Sequence, residues 1–211
     1  FRKSYKIKLA INFLDLSSTN DWHTKFNDDE NNISIHRWNW LLVDINLNPK
    51  PIEDGLFLIR SWCSQFLNHP DVSSDAYSTG ERISNSVIFF KIKNIPIPKD
   101  IIEVLNIFSK GVVENLEYES YGLTGNHAFN NARALYFASD PLESHALRKF
   151  SIAIMKERLP ELISKSGLMQ EGSSHYHFLF TRWVLELIWA AKSINDKEAL
   201  SLLNQVAKKL I

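Results

Sequence analysis

The segment GSSHYHFLFTRWVLELIWAAKS, residues 172–193, predicts one long helix that follows a short turn of glycine and serine. The serines suit the first position of a helix because their hydroxyls accept hydrogen bonds from free backbone N–H groups. From Phe178 to Ala191 the sequence is mostly apolar, as expected for a helix in a protein core. Tyr176 stands between two histidines at the start of this helix. The same segment therefore predicts a core helix and contains a candidate group of functional side chains.

Similar helical patterns run through most of the chain and are separated by clear breaks. Pro49, Pro51, Pro96 and Pro98 end helices because proline lacks a backbone donor and restricts the residue before it. Asp140-Pro141 and Ser166-Gly167 mark further helix ends. The predicted helices cover residues 36–46, 52–68, 75–92, 98–117, 126–139, 143–165, 174–193 and 196–210.

The first 35 residues differ from the rest of the chain. Residues 5–16 partly alternate between apolar and polar side chains, which predicts a strand, and residues 17–35 are polar and predict a surface loop. We therefore divide the chain into an extended segment at 1–35 and a helical domain at 36–211. Short connectors favour antiparallel neighbouring helices, and these hairpins predict an all-α fold curved into an incomplete α/α toroid, with a plain bundle as the alternative.

The composition is sufficient for one sizeable hydrophobic core and does not point to a charged partner. The chain has 211 residues, 45% of them hydrophobic, and its 24 basic and 24 acidic residues give no net charge. This balance gives no signal for nucleic acid or for an anionic membrane, and no apolar run reaches the roughly 18 residues of a membrane-spanning helix. Cys63 is single, so no internal disulfide forms, and no signal peptide is visible. Because the chain begins with Phe1 rather than with Met, we expect it to be part of a longer protein.

One predicted helix carries amide and basic side chains on a single face. Asn126 and Asn130 lie four residues apart, Arg133 follows one turn later, and His127 adjoins Asn126 at the start of the helix. Such a face suits an anionic or polar ligand. The alternative is that Asn126 caps the helix and the face is solvated.

Tyr176 and His177 form the second candidate group. A helix start favours a bound anion, and a tyrosine hydroxyl moves protons when a cationic or hydrogen-bonding neighbour assists it. The alternative is that both side chains are partly buried and satisfied by backbone groups. His175 and His177 point about 200° apart on a helix, so they do not chelate one ion, and the sequence predicts no metal site and no cofactor.

Two further residues are candidates for substrate binding. Arg82 shares a helix face with Asn85 and suits a carboxylate or hydroxyl, although a salt bridge with Glu81 or Asp75 explains it equally well. Trp38 offers an aromatic face to a sugar ring, although tryptophan is more often part of a core.

Five segments resemble the heparinase II/III-like polysaccharide lyases and are similar also to the oligoalginate lyases. The chain has Gly125-Asn126-His127 followed by residues 131–135 where the family has GNHLLANAKAL, and residues 171–177 where the family has ERSPMYH. Looser likenesses lie at residues 13–22, at 37–42 (family LWNYNLH) and at 77–85 (family YPTSLRIVNW). The segments occur in the family's order over nearly the whole chain.

The resemblance implies an incomplete α/α toroid that cleaves an acidic, uronate-containing polysaccharide by β-elimination. Asn126 and His127 would neutralise the uronate carboxylate, and Tyr176 would transfer protons at C5 and at the leaving oxygen. His177, Arg82, Asn130 and Trp38 would bind substrate. The family also has a C-terminal β-sandwich domain that completes the site, and its members suggest a periplasmic or secreted location.

The chain departs from the family in one segment, where Leu41 and Val43 replace an Asn and a His. Two other functions remain open from the residues. One is a sugar-binding helical domain without a competent proton shuttle. The other is an inverting glycosidase, which needs two carboxylates about 6.5–9.5 Å apart; its candidates are Glu81, Glu119 and Glu171.

Overall fold

The structure, a computed structural model, describes residues 3–43, 48–68, 75–117, 125–170 and 172–211. Contacts divide the chain into two compact units, Phe1–Gly111 and Val112–Ile211, which we call unit one and unit two. The described residues are mostly helical, with eight α-helices and one two-stranded sheet, so the predicted helical fold class is confirmed. No helix in these ranges is long and apolar enough to cross a membrane.

Unit one begins with a β-hairpin of two short strands, β1 at Tyr5–Lys8 and β2 at Phe13–Leu16. The strands are antiparallel, and Ile7 pairs with Leu14, both of them buried. The partial alternation of residues 5–16 correctly predicted extended structure, because one side of the hairpin faces the core.

Residues 17–35 are not the predicted surface loop. They contain a 3₁₀ turn at Thr19–His23 and most of helix α1, Asp29–Arg37, which crosses the predicted domain boundary at residue 35. The side chain of Asp28 accepts hydrogen bonds from the backbone of Glu30 and Asn31 and so starts the helix. The polar composition of this segment predicted a loop, but the hydrogen bonds to the Asp28 side chain stabilise the start of a helix there.

The predicted helix at 36–46 is also different in the structure. Helix α1 ends at Arg37 because Trp38 adopts a left-handed conformation with φ of 59°. A 3₁₀ turn at Asn39–Leu41 follows, and residues 44–47 lie outside the described residues.

Three longer helices follow in this part of the chain, α2 at Ile52–Phe66, α3 at Ala76–Lys93 and α4 at Lys99–Glu114. All three were predicted to within a few residues. Helix α3 is the centre of unit one, since nearly every side chain from Ala76 to Phe90 is buried. The tryptophans of this unit are core residues, since each is at most 1% exposed: Trp22, Trp38, Trp40 and Trp62.

Helices α2 and α3 approach closely at Gly55, and this contact gives a test of the packing. A Cβ on Gly55 would overlap the ring of Phe89, with Cε1 at 2.7 Å, and Phe89 is fully buried. We expect Gly55→Ala to lower the free energy of unfolding by about 1–2 kcal/mol, since overpacking outweighs the gain in helix propensity.

Gly111→Ala is the matched control for this change. Gly111 is also helical, but a Cβ there meets no atom within 4 Å. It should therefore raise the free energy of unfolding by about 1 kcal/mol, as expected for alanine in a helix. Urea unfolding followed by circular dichroism measures both variants, and shifts of the same sign would contradict the close approach.

The single thiol of the chain gives a second test. Burial raises the pKa of Cys63 from 9.0 to about 12, so the folded protein holds almost no thiolate at neutral pH. We expect iodoacetamide to alkylate the folded chain at about pH 8 roughly 10³-fold more slowly than the chain in denaturant, because the thiolate is the nucleophile. Equal rates would contradict the burial.

The same shift in pKa affects stability at alkaline pH. The unfolded chain releases the Cys63 proton above about pH 9, whereas the folded chain keeps it until about pH 12. The unfolded state therefore binds fewer protons in this window, and this group lowers the free energy of unfolding as the pH rises through it.

Unit two consists of two helical hairpins that pack on each other. Helices α5 at Gly125–Ser139 and α6 at His145–Leu162 form the first hairpin, and α7 at Ser174–Ser193 and α8 at Lys197–Leu210 form the second. Helix α5 contacts α7, and α6 contacts α8. The sequence predicted all four helices, and their hairpin pairing follows from the short connectors.

A buried tyrosine joins the two hairpins at the end of α5. The Tyr136 hydroxyl donates a hydrogen bond of 2.9 Å to Oδ2 of Asp196, whose other oxygen caps α8 through the backbone of Ala199. Burial, followed by the bond to Asp196, raises the pKa of Tyr136 above its ordinary value, so this phenol acts as a donor between helices.

Candidate functional site

Helix α5 carries its polar side chains on the face that meets α7. Asn126, Phe129, Asn130 and Arg133 follow each other at intervals of three and four residues, which places them on one side of the helix. Asn130 and Arg133 are both fully buried, so this face is not the solvated face that was the alternative in the sequence.

Arg133 is the centre of an ionic network between α5 and α7. Its Nη2 and Nε donate to Oε2 of Glu186 at 2.6 and 3.1 Å, and its Nη1 donates to Oδ1 of Asn130 at 3.2 Å. The other carboxylate oxygen of Glu186 binds Arg182 at 3.2 Å. The guanidinium also lies 5.4 Å from the ring of Trp183. Asn130, predicted to bind substrate, therefore orients Arg133.

Two contacts show that α5 and α7 run parallel. The rings of Phe129 and Phe180 lie 4.5 Å apart, and one turn later Arg133 binds Glu186. Residue numbers rise together along both helices, so their N-terminal ends lie at the same end of unit two. This arrangement differs from the antiparallel packing within each hairpin.

The parallel register places the first turns of α5 and α7, which carry the two predicted groups, at the same end of unit two. Asn126 precedes Phe129 by three residues, and Tyr176 precedes Phe180 by four, so each lies about 4.5–6 Å further along its helix axis at a rise of 1.5 Å per residue. Tyr176 shares the face of Phe180, as Asn126 shares the face of Phe129. Helical spacing therefore puts Asn126 and Tyr176 on the sides of α5 and α7 that carry these two rings, one turn closer to the start of each helix.

At the start of α7, Tyr176 is accessible to solvent. The hydroxyl of Ser173 accepts a hydrogen bond from the Tyr176 backbone N–H at 3.5 Å and caps the helix, as the sequence predicted. The Tyr176 side chain is 42% exposed, and its ring meets that of His175 edge-on at 5.7 Å. The alternative that the Tyr176 side chain is partly buried and satisfied by backbone groups does not hold, since it is exposed and its hydroxyl makes no hydrogen bond to the described residues.

His177 is engaged with the backbone of α8. Its Nε2 lies 3.2 Å from the carbonyl oxygen of Leu210, and because a carbonyl only accepts, Nε2 carries the proton. The ring therefore ties the start of α7 to the end of α8. Contact between substrate and this imidazole remains a prediction, and Nδ1 is buried without a hydrogen-bond partner among the described residues.

His127 has a carboxylate partner that the sequence did not suggest. Its Nδ1 lies 3.2 Å from Oε1 of Glu117, and the side chains of His127 and Glu117 are 43% and 30% exposed. Glu117 follows α4 in the chain, and residues 118–124, which lie between the two partners, are outside the described residues.

Arg82 and Trp38 lie inside unit one. The Arg82 guanidinium donates to the His36 carbonyl at 2.8 Å and to the Thr79 hydroxyl at 2.7 Å, and burial lowers its pKa. Trp38 is fully buried and meets Trp62 edge-on at 5.2 Å. Direct contact between a sugar and either side chain would require unit one to rearrange.

Of the three carboxylates of the glycosidase alternative, the structure describes one, Glu81. Glu81 is 4% exposed within α3, and Oε2 lies 3.4 Å from Nδ2 of Asn85. Glu119 and Glu171 lie outside the described residues. Within the described ranges, no group of three or more His, Cys, Asp or Glu side chains could hold a metal ion.

Sequence reasoning missed two acidic residues of this site, Glu117 and Glu186. Glu186 had a signal, because it is the one acidic residue in an otherwise apolar stretch of α7 and stands four residues after Arg182. Glu117 had none, since ten residues separate it from His127. No family model, curated protein or solved structure matches the chain.

Proposed function

We propose that this chain is the helical domain of a polysaccharide lyase that cleaves a uronate-containing polysaccharide by β-elimination. One observation carries the proposal. The parallel packing of α5 and α7 supports it, because the first turns of both helices, which carry Asn126, His127 and the exposed Tyr176, lie at the same end of unit two. Their amide, imidazole and phenol are the three groups that the reaction needs.

The first requirement is to make the C5 proton of the uronate acidic. Charge that develops next to the carboxylate must be stabilised by donors that are already in place. The Asn126 amide and the His127 imidazole would supply them. The starts of two parallel helices add free N–H groups and two positive dipole ends, which favour an anion at this end of the unit.

The second requirement is proton transfer. Tyr176 would take the C5 proton and pass a proton to the glycosidic oxygen at C4, so that the C5–H and C4–O bonds break, a C4–C5 double bond forms and the leaving oxygen departs as a hydroxyl. Its exposed side chain is accessible to a polymer. Asn130 would hold Arg133 in place, and His177 would hold the start of α7. Arg82 and Trp38 would stabilise the packing of unit one.

The family assignment to heparinase II/III-like lyases, with similarity to oligoalginate lyases, and the closure of the helices into an incomplete α/α toroid are part of this proposal. So are a β-sandwich domain of the longer protein that completes the site and a periplasmic or secreted location. The hairpins of unit two are the kind of repeating element from which such a toroid is built.

The test uses the longest gene product that contains this chain and a panel of uronate polysaccharides. Elimination produces C4–C5 unsaturated uronate, which is followed by its ultraviolet absorbance, and new reducing ends are measured in parallel. Both signals together support the lyase. Reducing ends without ultraviolet absorbance would indicate a hydrolase, and binding without either signal would indicate a sugar-binding domain.

A further inference from the structure

Unit one contains a cavity of about 370 Å³ that is lined by residues of the 3₁₀ turn, of α1 and of the end of α2. Its volume falls within the range of about 300–1,000 Å³ that is usual for small-molecule sites. All the residues that line it belong to unit one, whereas Asn126, His127 and Tyr176 belong to unit two. A ligand bound in this cavity would therefore serve a function beyond the one proposed above.

Four of the residues that line the cavity carry aromatic rings. The ring of Phe66, at the end of α2, lies 5.0 Å from that of His23 and 4.9 Å from that of His36, between centroids. Trp22 is the fourth, and both Trp22 and His36 are buried. Aromatic groups favour edge-to-face and offset contacts with one another. Such a wall therefore suits a ligand that has a flat aromatic ring.

Contacts within unit one hold this wall in place. The indole Nε1 of Trp22 donates a hydrogen bond of 2.9 Å to Oγ of Ser61, and Nε2 of His23 lies 3.4 Å from Oε1 of Gln65. Both contacts join the 3₁₀ turn to α2, so the two elements keep their spacing. A ligand loses less free energy to the ordering of its site when the site is already formed.

The charges around the cavity favour an anion. Lys25 lines it and is exposed, and the described residues that line it include no Asp or Glu. The acidic residues that flank Lys25 in sequence bind backbone groups, since Asp21 accepts hydrogen bonds from Ser17 and Ser18 and Asp28 caps α1. A carboxylate on a ligand would therefore meet a cation in this wall and no like charge.

We propose that this cavity binds a small aromatic carboxylate, with its ring against the four aromatic side chains and its carboxylate at Lys25. An acidic sugar would also pair with Lys25, but its hydroxyls would have to be buried against aromatic rings. The four rings therefore favour the flat acid. The inference does not rest on the proposed function, because it concerns binding in unit one and no step of the elimination.

The test titrates the ¹⁵N-labelled full chain with indole-3-acetate and follows the backbone amides by NMR. We expect a Kd of about 1 mM or tighter, as for a ligand of this size, with shifts concentrated in residues 22–25, 32–36 and 64–66. Indole-3-acetamide, which keeps the ring but has no charge, should bind roughly two- to fivefold more weakly, as expected for loss of an exposed ion pair. Sodium glucuronate should bind at least about 10-fold more weakly, because it has no aromatic ring to bury.

Two variants test the position of the carboxylate. In Lys25→Met the acid and the amide should bind equally, because the cation is gone. Lys110→Met is the matched control, since Lys110 is an exposed residue of α4 outside the cavity, and it should keep the preference for the acid. Equal binding of acid and amide by the wild type, or a preference that survives in Lys25→Met, would overturn the proposal. So would shifts centred on other segments, tighter binding of glucuronate than of the indole acid, or no saturable binding up to about 10-fold above the expected Kd.

Discussion

Replacing Tyr176 by phenylalanine should remove elimination activity, by on the order of 10³-fold or more in kcat, while the fold stays intact. General acid–base catalysis by one positioned group raises the rate by about 10²–10⁴-fold. Phenylalanine keeps the ring of Tyr176 but lacks the hydroxyl that transfers the proton. The side chain is 42% exposed, and its hydroxyl makes no hydrogen bond to any residue that the structure describes. The change should therefore leave the free energy of unfolding nearly unaltered.

Tyr5→Phe is the matched control for this variant. Tyr5 lies on β1, and its ring stacks on Phe57 at 5.1 Å, a contact that phenylalanine retains. Initial rates of ultraviolet absorbance on the active polysaccharide compare the wild type and both variants. A Tyr176→Phe protein that retains more than about a tenth of wild-type kcat would remove Tyr176 from the chemistry.

Replacing Arg133 by methionine should cause the largest loss of stability, about 3 kcal/mol in the free energy of unfolding. Arg133 is fully buried, and its removal leaves Glu186, which is 19% exposed, with one carboxylate oxygen unpaired beside apolar side chains. Breaking one side of a buried ion pair is costly because the remaining charge is uncompensated. Urea unfolding followed by circular dichroism measures the loss.

Two controls separate this pair from general packing effects. Arg182→Met removes the exposed partner of Glu186 and should cost no more than about 0.5 kcal/mol. The double variant Arg133→Met with Glu186→Met should recover much of the loss, since an apolar pair can replace an ionic one. A double variant as unstable as the sum of the single variants would contradict the proposed coupling between α5 and α7.

Most helices could be predicted from the sequence because their causes are local. Proline pairs, serine and aspartate caps and apolar spacing set the ends of α2 to α8 within a few residues. Helix α1 was missed because its cap at Asp28 stands in a segment whose polar composition predicts a loop. Its buried Asn31 and Ser34 give no apolar face by which the helix could be recognised.

The candidate site divides in the same way. The two helix starts that carry Asn126, His127 and Tyr176 are local features and could be located in the sequence. The buried positions of Arg82 and Trp38 depend on distant aromatic side chains, so spacing alone suggested accessible residues. The partners Glu117 and Glu186 lie 10 and 53 positions from the side chains they bind, and no local pattern predicts such pairings.

Helix α3 has a consequence for how this sequence can change over evolutionary time. A helix with one solvent-exposed face can accept neutral substitutions on that face. In α3, however, nearly every side chain from Ala76 to Phe90 is buried. Its small and polar residues are enclosed too, as Ser84 and Ser86 are fully buried. Drift in unit one is therefore confined to other elements, and α3 should be the segment by which distant descendants of this chain remain recognisable.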